Sequence, residues 1–474
     1  MTNGTLIAGL AAPTQPWPVS VTEPATGAEF AEFVGGGAKD AAYAADVAAR
    51  ALPGWAGTPA VARAAALQTI ADRLREPEPA AELAELTARE TGKRLAEARA
   101  EVGMSAAFFS WFAAAAATRD DRVTRAVPGI RHQISHRPLG TVAVSTPWNF
   151  PLSIPARKIA AALAAGCTVL FKPSEVAPGS SLRLAEIVQE QLPEGVLCAL
   201  LGDGAELTRV WLNDERVRGI SFTGSTRIGL TVAELAARRL VRCVLELGGN
   251  APFIVLDDAD PSQAVDLIAG AKFRNNGQSC IAANTAWVPR SMLGEIVDGL
   301  AAAADGLVLG DPLDTHTTLG PLAPPGDPQR MTDLAEDARR RGATVHRSTA
   351  AVPDRGHYAA PVLAVDPPRD CRMVTEESFA PILPVLPYDD LADVLDHTRK
   401  AALGLAGYVA GTDLVRAIRV AEALDVGIVG VNTSTPNTPQ IPFGGLKLSG
   451  IGWEGGQAGL DAFLTPQTTA VAEA

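Results

Sequence analysis

The sequence predicts an α/β fold with two parallel sheets, each flanked by helices. Between residues 140 and 245, short apolar runs alternate with helix-forming runs, which is typical of a doubly wound parallel sheet. A second series of the same kind begins at Ala251. The length of 474 residues agrees with this division, because a chain of that size forms two or three units that each bury a core.

The N-terminal part of the chain predicts a layer of helices that packs on a sheet. Segment 40–112 is dominated by Ala, Leu, Glu and Arg, which are good helix formers. Prolines and glycines should divide it into several amphipathic helices and exclude one long coiled coil. The expected breaks are Pro53-Gly54, Thr58-Pro59, Pro77 and Pro79.

The first strand–helix series follows an exposed strand at 131–138. It starts with a buried strand at 140–145 and the rigid turn 146–151. The next predicted elements are helix 154–165, strand 167–172, helix 181–191, strand 196–200, helix 206–212, strand 219–222, helix 227–240 and strand 241–245. Ligands bind at the carboxyl ends of strands in this architecture, and the turns after four of these strands are polar or rich in glycine.

The second series contains strand 252–255 and helix 261–273, and it repeats further along the chain near residues 385 and 429. This second α/β domain would carry Cys280. A Gly-rich loop at 443–456 precedes an alternating tail at 463–472. Because an exposed edge strand of this kind pairs readily with another chain, we expect a homodimer or homotetramer.

Composition and charge argue against several classes of protein. Apolar residues make up 47% of the chain and charged residues 20%, which is a globular composition. The net charge of −12, without a Lys/Arg-rich run, argues against nucleic-acid binding. We find no signal sequence and no apolar run that approaches a membrane span, so we expect a cytoplasmic protein without a membrane partner. Cys and His spacings predict reduced thiols and no metal.

Three residues at predicted strand ends are candidates for chemistry: Cys280 in FRNNGQSCIAAN, Asn149 in PWNFP and Glu246 in ELGGN. Each has a simpler interpretation, since a lone Cys is usually a small core residue, Asn149 can cap a turn and Glu246 can pair with a surface Arg. Together they form a more specific set. A thiolate that attacks a carbonyl needs an oxyanion donor and a base, which an Asn and a Glu supply.

Hydrolase chemistry is the weaker interpretation of the same residues. The chain has no G-x-S-x-G sequence, and no histidine lies in a motif that would pair with Cys280.

The turn FTGSTRIG at 222–229 indicates a phosphate-binding site. It lies between a predicted strand and helix, where backbone N–H groups and the helix dipole attract phosphate. Lys172 and Glu175 in KPSE add a cation and a carboxylate of the kind that hold an adenosine ribose. These features together predict a dinucleotide. The Glu175 carboxylate favours NAD, because it would repel a 2′-phosphate; NADP is the alternative.

Nearly the whole chain resembles the NAD(P)-dependent aldehyde dehydrogenase superfamily, and most of all its succinate-semialdehyde dehydrogenases. Several motifs stand in the order of that family, and the spacing of Glu246 and Cys280 agrees as well. The matching segments are PWNFP (147–151), KPSE (172–175), FTGSTRIG (222–229), ELGGN (246–250), GQSC (277–280), EESFAP (376–381), VN (431–432) and PFGGLKLSGIG (442–452).

The resemblance implies a fold, a reaction and roles for single residues. Cys280 would be the nucleophile, Asn149 the oxyanion donor and Glu246 the general base. An aldehyde would become a carboxylate through a thiohemiacetal and a thioester on Cys280, with reduction of the nicotinamide. The implied cofactor-binding residues are Trp148, Lys172, Glu175, Thr223, Gly224, Ser225, Gly229, Leu247, Glu377 and Phe379.

The implied domains are discontinuous. A Rossmann-type dinucleotide-binding domain would comprise residues 1–119 and 139–247, and a catalytic domain residues 248–445. A small β flap for oligomerisation would comprise residues 120–138 and 446–474.

The expected substrate carries a distal carboxylate. Arg157, Arg274 and Thr438 match positions where succinate-semialdehyde dehydrogenases hold that group, and guanidinium groups bind carboxylates through paired hydrogen bonds. Arg157 can instead belong to a solvated helix face and Arg274 to a subunit interface. The alternatives are a dehydrogenase for glutarate semialdehyde, a hydroxyaldehyde or another specialised aldehyde and, remotely, a non-catalytic binding protein.

The chain departs from the family pattern in three respects. Ala380 replaces a usual Gly, which adds one methyl group. Trp453 stands where semialdehyde enzymes usually have Arg, and it weakens the assignment of the substrate. Ile281 and Ala282 replace the second cysteine of some relatives, which argues against a disulfide switch at Cys280.

Overall fold

The computed structural model describes residues 2–473, so Met1 and Ala474, the outer ends of the predicted terminal segments, lie outside it. The strands are β1 (Thr2–Asn3), β2 (Thr5–Leu6), β3 (Trp17–Glu23), β4 (Ala28–Gly35), β5 (Arg122–Val127), β6 (Ile130–Pro138), β7 (Thr141–Ser145), β8 (Thr168–Lys172), β9 (Leu197–Leu200), β10 (Val217–Thr223), β11 (Arg242–Glu246), β12 (Ala251–Val255), β13 (Ala283–Pro289), β14 (Thr344–Arg347), β15 (Val362–Val365), β16 (Ile382–Tyr388), β17 (Leu403–Gly404), β18 (Ala406–Ala410), β19 (Ile428–Val431), β20 (Leu446–Lys447), β21 (Gly450–Ile451) and β22 (Leu464–Ala472).

The helices are α1 (Ala38–Gly57), α2 (Ala60–Arg75), α3 (Pro77–Thr91), α4 (Leu95–Ala117), α5 (Ser153–Ala165), α6 (Pro178–Gln189), α7 (Gly204–Asn213), α8 (Thr226–Ala237), α9 (Pro261–Phe273), α10 (Leu293–Asp305), α11 (Asp327–Arg340), α12 (Arg372–Thr375), α13 (Leu391–Lys400), α14 (Leu414–Glu422) and α15 (Gly456–Asp461). Two short 3₁₀ helices occupy Arg274–Gly277 and Arg290–Met292.

The first large sheet is doubly wound. Its strand order is β2-β9-β8-β7-β10-β11-β21, with β9 to β11 parallel and the two edge strands antiparallel. The parallel part of this sheet starts at β7. The chain adds β8 and then β9 on one side of β7, and afterwards adds β10 and then β11 on the other side. Ser145 lies opposite both Lys172 and Phe222, and Thr223 lies opposite Glu246. The carboxyl ends of four neighbouring strands therefore meet at one edge.

The second large sheet has the order β14-β15-β16-β13-β12-β18-β19, and it is parallel except for its edge strand β14. Strands β12, β13, β16 and β18 are buried along their whole length, as parallel strands covered by helices on both faces should be. The segment between α9 and β13 carries Cys280. Both predicted strand–helix series are present, with bounds that differ by a few residues.

The helical layer differs from the prediction at one position. The expected break at Pro53-Gly54 is wrong, because α1 continues through Pro53 to Gly57. The proline ring is exposed, and the last turn is anchored by buried Trp55, whose Nε1 donates a 3.2 Å hydrogen bond to the Leu163 carbonyl. The breaks after α1 and before α3 occur as predicted, and Pro77 starts α3, where a missing N–H costs no helical hydrogen bond.

Helix α4 is long and apolar. Within residues 2–473, α4 is the one helix whose length and composition would allow it to cross a membrane, which differs from the expectation that no such segment exists. In the fold, 56% of its most apolar window is buried, and the helix packs against α2, α3 and α5. Core helices of globular proteins share this composition, and α4 is one of them.

A third, smaller sheet joins two distant parts of the chain. It has the order β22-β6-β5 and is antiparallel, with Leu464 opposite Pro138 at one end and Ala472 opposite Ile130 at the other. Most side chains of β5 and β22 are exposed. The predicted flap corresponds to this sheet in position, while the domain bounds stay predictions.

Candidate active site

A cavity of about 180 Å³ lies beside the loop that carries Cys280. Its polar lining includes Cys280, Ser279, Arg157 and Arg274, and the rings of Phe108, Phe150 and Phe443 form apolar walls. Helices α4 and α5 and the loops before α5, β13 and β20 supply these residues. The cavity thus combines one thiol, two guanidinium groups and an apolar surface.

The loop before Cys280 has an unusual backbone conformation. Asn275, Asn276 and Gly277 all have positive φ angles, of 52°, 57° and 75°. Asparagine tolerates this region better than other side chains, and glycine tolerates it without strain. The Asn276 amide donates to the carbonyls of Gly92 (3.0 Å) and Pro321 (2.9 Å). The residues NNG belong to the motif around Cys280, but no local pattern in the sequence indicates this anchoring role.

Asn149 is tied to the same loop. Its side chain is 3% exposed, and its Nδ2 donates a 3.1 Å hydrogen bond to the Gln278 carbonyl. In return, the Asn275 amide donates to the carbonyls of Asn149 (3.1 Å) and Gln278 (2.7 Å). Lys93 also donates to the Asn149 carbonyl, at 2.9 Å. The structure therefore places the predicted oxyanion donor in hydrogen-bond contact with the segment that leads to the predicted nucleophile.

Cys280 is half-buried at the edge of the cavity. A Cβ atom on Gly249 would overlap the Cys280 carbonyl oxygen, so the ELGGN motif passes directly over the loop. Burial, together with the charge of Glu377, raises the pKa of the Cys280 thiol to about 12, and Arg157 opposes the shift. In this form of the protein the thiol keeps its proton.

Glu246 is the last residue of β11 and is 2% exposed. Neither of its carboxylate oxygens has a hydrogen-bond partner among the described residues. Burial and the negative charge of Glu454 raise the pKa of Glu246 well above its usual range. Once it has lost its proton, an unpartnered carboxylate with a raised pKa is a stronger base than a free carboxylate, which fits a general base.

Two buried charged residues of this site do not stand out in the sequence. Glu454 is 4% exposed, acts on the pKa of Glu246, and forms ion pairs with Arg157 and Lys158. Lys93 lines the cavity and pairs with Glu101. Glu454 follows Trp453 in the chain, but no local pattern shows which residues it contacts.

The structure brings two of the three predicted substrate residues together. Arg157 and Arg274 both line the cavity beside Cys280. Arg274 has no carboxylate within 4 Å in the described part of the chain. Thr438 is exposed and does not line the cavity, which its neighbour Asn437 does. A role of Thr438 in substrate binding stays a prediction.

The predicted cofactor residues collect at the carboxyl edge of the first sheet. Lys172 ends β8, and its Nζ lies 2.6 Å from the half-exposed carboxylate of Glu175. Burial opposes ionisation of Glu175, but Lys172 holds its pKa below the usual range. Ser225 caps α8 by accepting from the Ile228 N–H at 3.4 Å, and the Gly224 N–H donates to the Glu246 carbonyl at 3.1 Å.

The remaining predicted cofactor residues flank the same edge. Thr223 has a buried hydroxyl without a partner among the described residues, and Gly229 packs so closely on Leu247 that a Cβ atom would overlap it. Glu377 accepts a 3.0 Å hydrogen bond from the Gly249 N–H, and burial raises the pKa of its carboxyl to about 7.

Two aromatic residues complete this edge. The rings of Trp148 and Phe379 meet edge to face, with their centroids 5.6 Å apart. The edge of the sheet fits a dinucleotide. It offers the unpartnered Thr223 hydroxyl, the N-terminus of α8, and a donor and an acceptor for a ribose in Lys172 and Glu175.

The similarity to known proteins agrees with this geometry. A profile described as the aldehyde dehydrogenase family matches residues 12–469. The chain belongs to the aldehyde dehydrogenase family. It is therefore an NAD(P)-dependent oxidoreductase that acts on aldehydes, and the predicted family and fold class are confirmed.

The names of two curated relatives of this aldehyde dehydrogenase describe them as semialdehyde dehydrogenases. The NADP-dependent succinate-semialdehyde dehydrogenase GabD of Escherichia coli is 38% identical over 454 residues, covering 94% of this chain and 92% of the relative. A glutarate-semialdehyde dehydrogenase of Pseudomonas putida is 38% identical over 448 residues, with the same coverage. Among solved structures, an E. coli NADP-dependent enzyme superposes with a TM-score of 0.96 at 36% identity, covering 99% of this chain and 98% of that one.

Proposed function

We propose that this enzyme oxidises an aldehyde with a distal carboxylate, such as succinate semialdehyde or the longer glutarate semialdehyde, to the dicarboxylate. The observation that carries the proposal is the position of Arg274 and Arg157 in the Cys280 cavity. Arg274 is half-buried and has no carboxylate partner among the described residues, so a substrate carboxylate can pair with its guanidinium group. The names of the two semialdehyde relatives support the same class of substrate.

The chain's own residues supply the covalent steps. Glu246 takes the proton of the Cys280 thiol and releases it to solvent. The Cys280 thiolate attacks the aldehyde carbon, and the Asn149 amide donates a hydrogen bond to the oxyanion. A bound nicotinamide would accept the hydride, which leaves a thioester on Cys280. Glu246 then takes a proton from water, the water oxygen attacks the thioester, and the Cys280 thiolate leaves as the carboxylate product forms. Cys280 starts and ends the cycle unchanged.

The cofactor-binding residues are proposals as well. Lys172 and Glu175 would hold the adenosine ribose, Gly224 and Ser225 the pyrophosphate at the start of α8, and Glu377 the nicotinamide ribose. We propose NAD as the preferred cofactor. Glu175 is ionised next to Lys172, and a carboxylate in that place opposes a 2′-phosphate. The name of the NADP-dependent relative makes NADP the competing choice.

Oligomeric state, domain bounds and location belong to the same proposal. We propose a homodimer or homotetramer, because the sheet of β5, β6 and β22 exposes most of its side chains and needs a cover. We also propose the three domains at the bounds predicted from the sequence, a cytoplasmic location, and no nucleic-acid or membrane partner.

A panel of aldehydes tests the substrate class. Steady-state kinetics with succinate semialdehyde, glutarate semialdehyde and butanal, each with NAD and NADP, are followed through the absorbance of the reduced cofactor. We expect Arg274→Ala to raise KM for the two semialdehydes by about 10-fold or more, which corresponds to one charge-assisted hydrogen bond. Butanal, which has no carboxylate, should change little.

The matched control is Arg99→Ala, since Arg99 is exposed on α4 and does not line the cavity. It should leave all three KM values unchanged. Equal effects of Arg274→Ala on charged and neutral aldehydes would contradict the proposed substrate class.

A further inference from the structure

The guanidinium group of Arg157 forms an ion pair through its Nε edge only. Its Nε lies 2.7 Å from Oε2 of Glu454, with both side chains about 5% exposed or less. The contact is a close ion pair in which the N–H is not aligned on the oxygen. The guanidinium also packs on the ring of Phe443, at 4.4 Å from its centroid. No described residue accepts a hydrogen bond from the Nη atoms, and Arg157 lines the cavity.

Glu454 is itself held from the opposite side. Its Oε1 accepts a 3.0 Å hydrogen bond from the Ser221 hydroxyl and forms an ion pair with Lys158. Burial opposes ionisation of this carboxyl, but Lys158 and Arg157 hold the pKa of Glu454 below its usual range. The carboxylate is therefore charged, and its position relative to β10 and α5 is fixed.

Glu454 is shared between two buried basic residues. Its Oε2 faces Arg157 and its Oε1 faces Lys158. Glu246, the other buried carboxyl group nearby, has no hydrogen-bond partner among the described residues and pairs with neither of them. The Nη edge of Arg157 is therefore the part of the cluster that is left for a ligand with a carboxylate.

We propose that Glu454 is a positioning residue for substrate specificity: it holds the Nε edge of Arg157 so that the Nη edge faces the distal carboxylate of the substrate. This inference rests on the proposed function. A guanidinium that rotates freely loses paired hydrogen bonds, whereas one held at Nε keeps both Nη donors in place. The competing explanation is that the ion pair of Arg157 and Glu454 has a structural role only and attaches the loop that carries Glu454 to α5.

Substitution of Glu454 tests the inference through selectivity. The measured quantity is the ratio of kcat/KM for succinate semialdehyde to kcat/KM for butanal. We expect Glu454→Gln to lower this ratio about 10-fold or more, through a higher KM for the semialdehyde. In the Arg157→Ala background, Glu454→Gln should lower the ratio no further, because the two residues act on one contact.

Two further variants separate positioning from folding. Glu295→Gln changes an exposed carboxylate on α10 that does not line the cavity, and it should leave the ratio unchanged. Glu454→Asp keeps the charge but withdraws it from Arg157, so the ratio should fall while the variant remains folded by circular dichroism. If Glu454→Gln does not fold, Glu454→Asp decides the question.

The possible results have distinct meanings. A fall in kcat for both aldehydes with an unchanged ratio in the Glu454 variants overturns the positioning role. If Arg157→Ala lowers the ratio and the Glu454 variants do not, this inference fails and the proposed function stands. If neither Arg157→Ala nor Arg274→Ala changes the ratio, the proposed substrate class is contradicted, and this inference is contradicted with it.

Discussion

At the scale of single residues, the two groups that must lose a proton are both buried. Burial raises the pKa of Cys280 to about 12 and, with the charge of Glu454, raises the pKa of Glu246 well above its usual range. Each raised pKa stabilises the protonated, inactive form. The active forms are populated as pH rises, so the proposed mechanism favours alkaline conditions.

We therefore expect kcat/KM to rise continuously from about pH 6 to about pH 9. The measurement is a pH profile for a single semialdehyde at saturating cofactor. Glu246→Gln should lose most of its turnover at every pH, because no base activates the water. A profile that falls toward alkaline pH would contradict the assignment of both groups.

The nucleophile has a direct test. Cys280→Ala should abolish aldehyde oxidation, since no other thiol lines the cavity among the described residues. Cofactor binding, measured by quenching of tryptophan fluorescence, should remain within about twofold, because most of the proposed cofactor residues lie at the edge of the first sheet. Cys243→Ala, which changes a half-buried thiol on β11, is the matched control and should stay active. Turnover by Cys280→Ala would remove Cys280 from its proposed role.

Sequence patterns were most informative for reactive residues that stand near the end of a strand. Asn149, Glu246 and Cys280 stand in short motifs that mark such ends, and the structure brings Asn149 to the Cys280 loop. Glu454 could not be found in this way. Its role depends on Arg157 and on Lys158, which are distant in sequence and meet it only after folding.

At the scale of elements, the site depends on how closely two loops approach. Gly249 follows β11, and a Cβ atom there would overlap the carbonyl oxygen of Cys280. Its N–H also donates to Glu377 at 3.0 Å. One glycine thus connects the proposed base, the nucleophile loop and the proposed cofactor loop, and any side chain at that position must displace one of them.

We expect Gly249→Ala to lower kcat/KM by at least about 100-fold, because small displacements of reacting groups have effects of that size. Gly294→Ala is the matched control: Gly294 lies in α10 with open space around its Cα, and Ala should stabilise that helix by about 0.5–1 kcal/mol. Thermal unfolding and steady-state kinetics measure both variants. Normal activity of Gly249→Ala would show that the loops can separate without loss.

Periodicity predicted most of the elements because each strand and helix has a clear apolar pattern. Strand 167–172 and helix 261–273 correspond closely to β8 and α9. Pro53 shows the limit of local rules. The contact of Trp55 with Leu163 keeps the last turn of α1 helical, and tertiary packing of this kind is invisible in a local pattern.

At the scale of the whole molecule, the sheet of β5, β6 and β22 is poorly covered. Three strands form it, and on β5 the side chains of Val123 and Val127 are 52% and 46% exposed. A small sheet needs an apolar face packed on something to be stable. A second copy of the chain can supply that surface, which is the physical basis of the proposed oligomer.

Substitution of both valines by lysine should weaken the assembly. Charged groups on this sheet would have to lose their hydration at an interface, which costs more than the valines gain there. Sedimentation velocity should show the wild type at a multiple of the 49.2 kDa protomer and the double variant shifted toward the protomer mass. Val61→Lys is the matched control, because Val61 is 70% exposed on α2, far from the sheet in the chain. If both variants sediment like the wild type, the contact between subunits lies on another surface, and the exposed valines have no role in assembly.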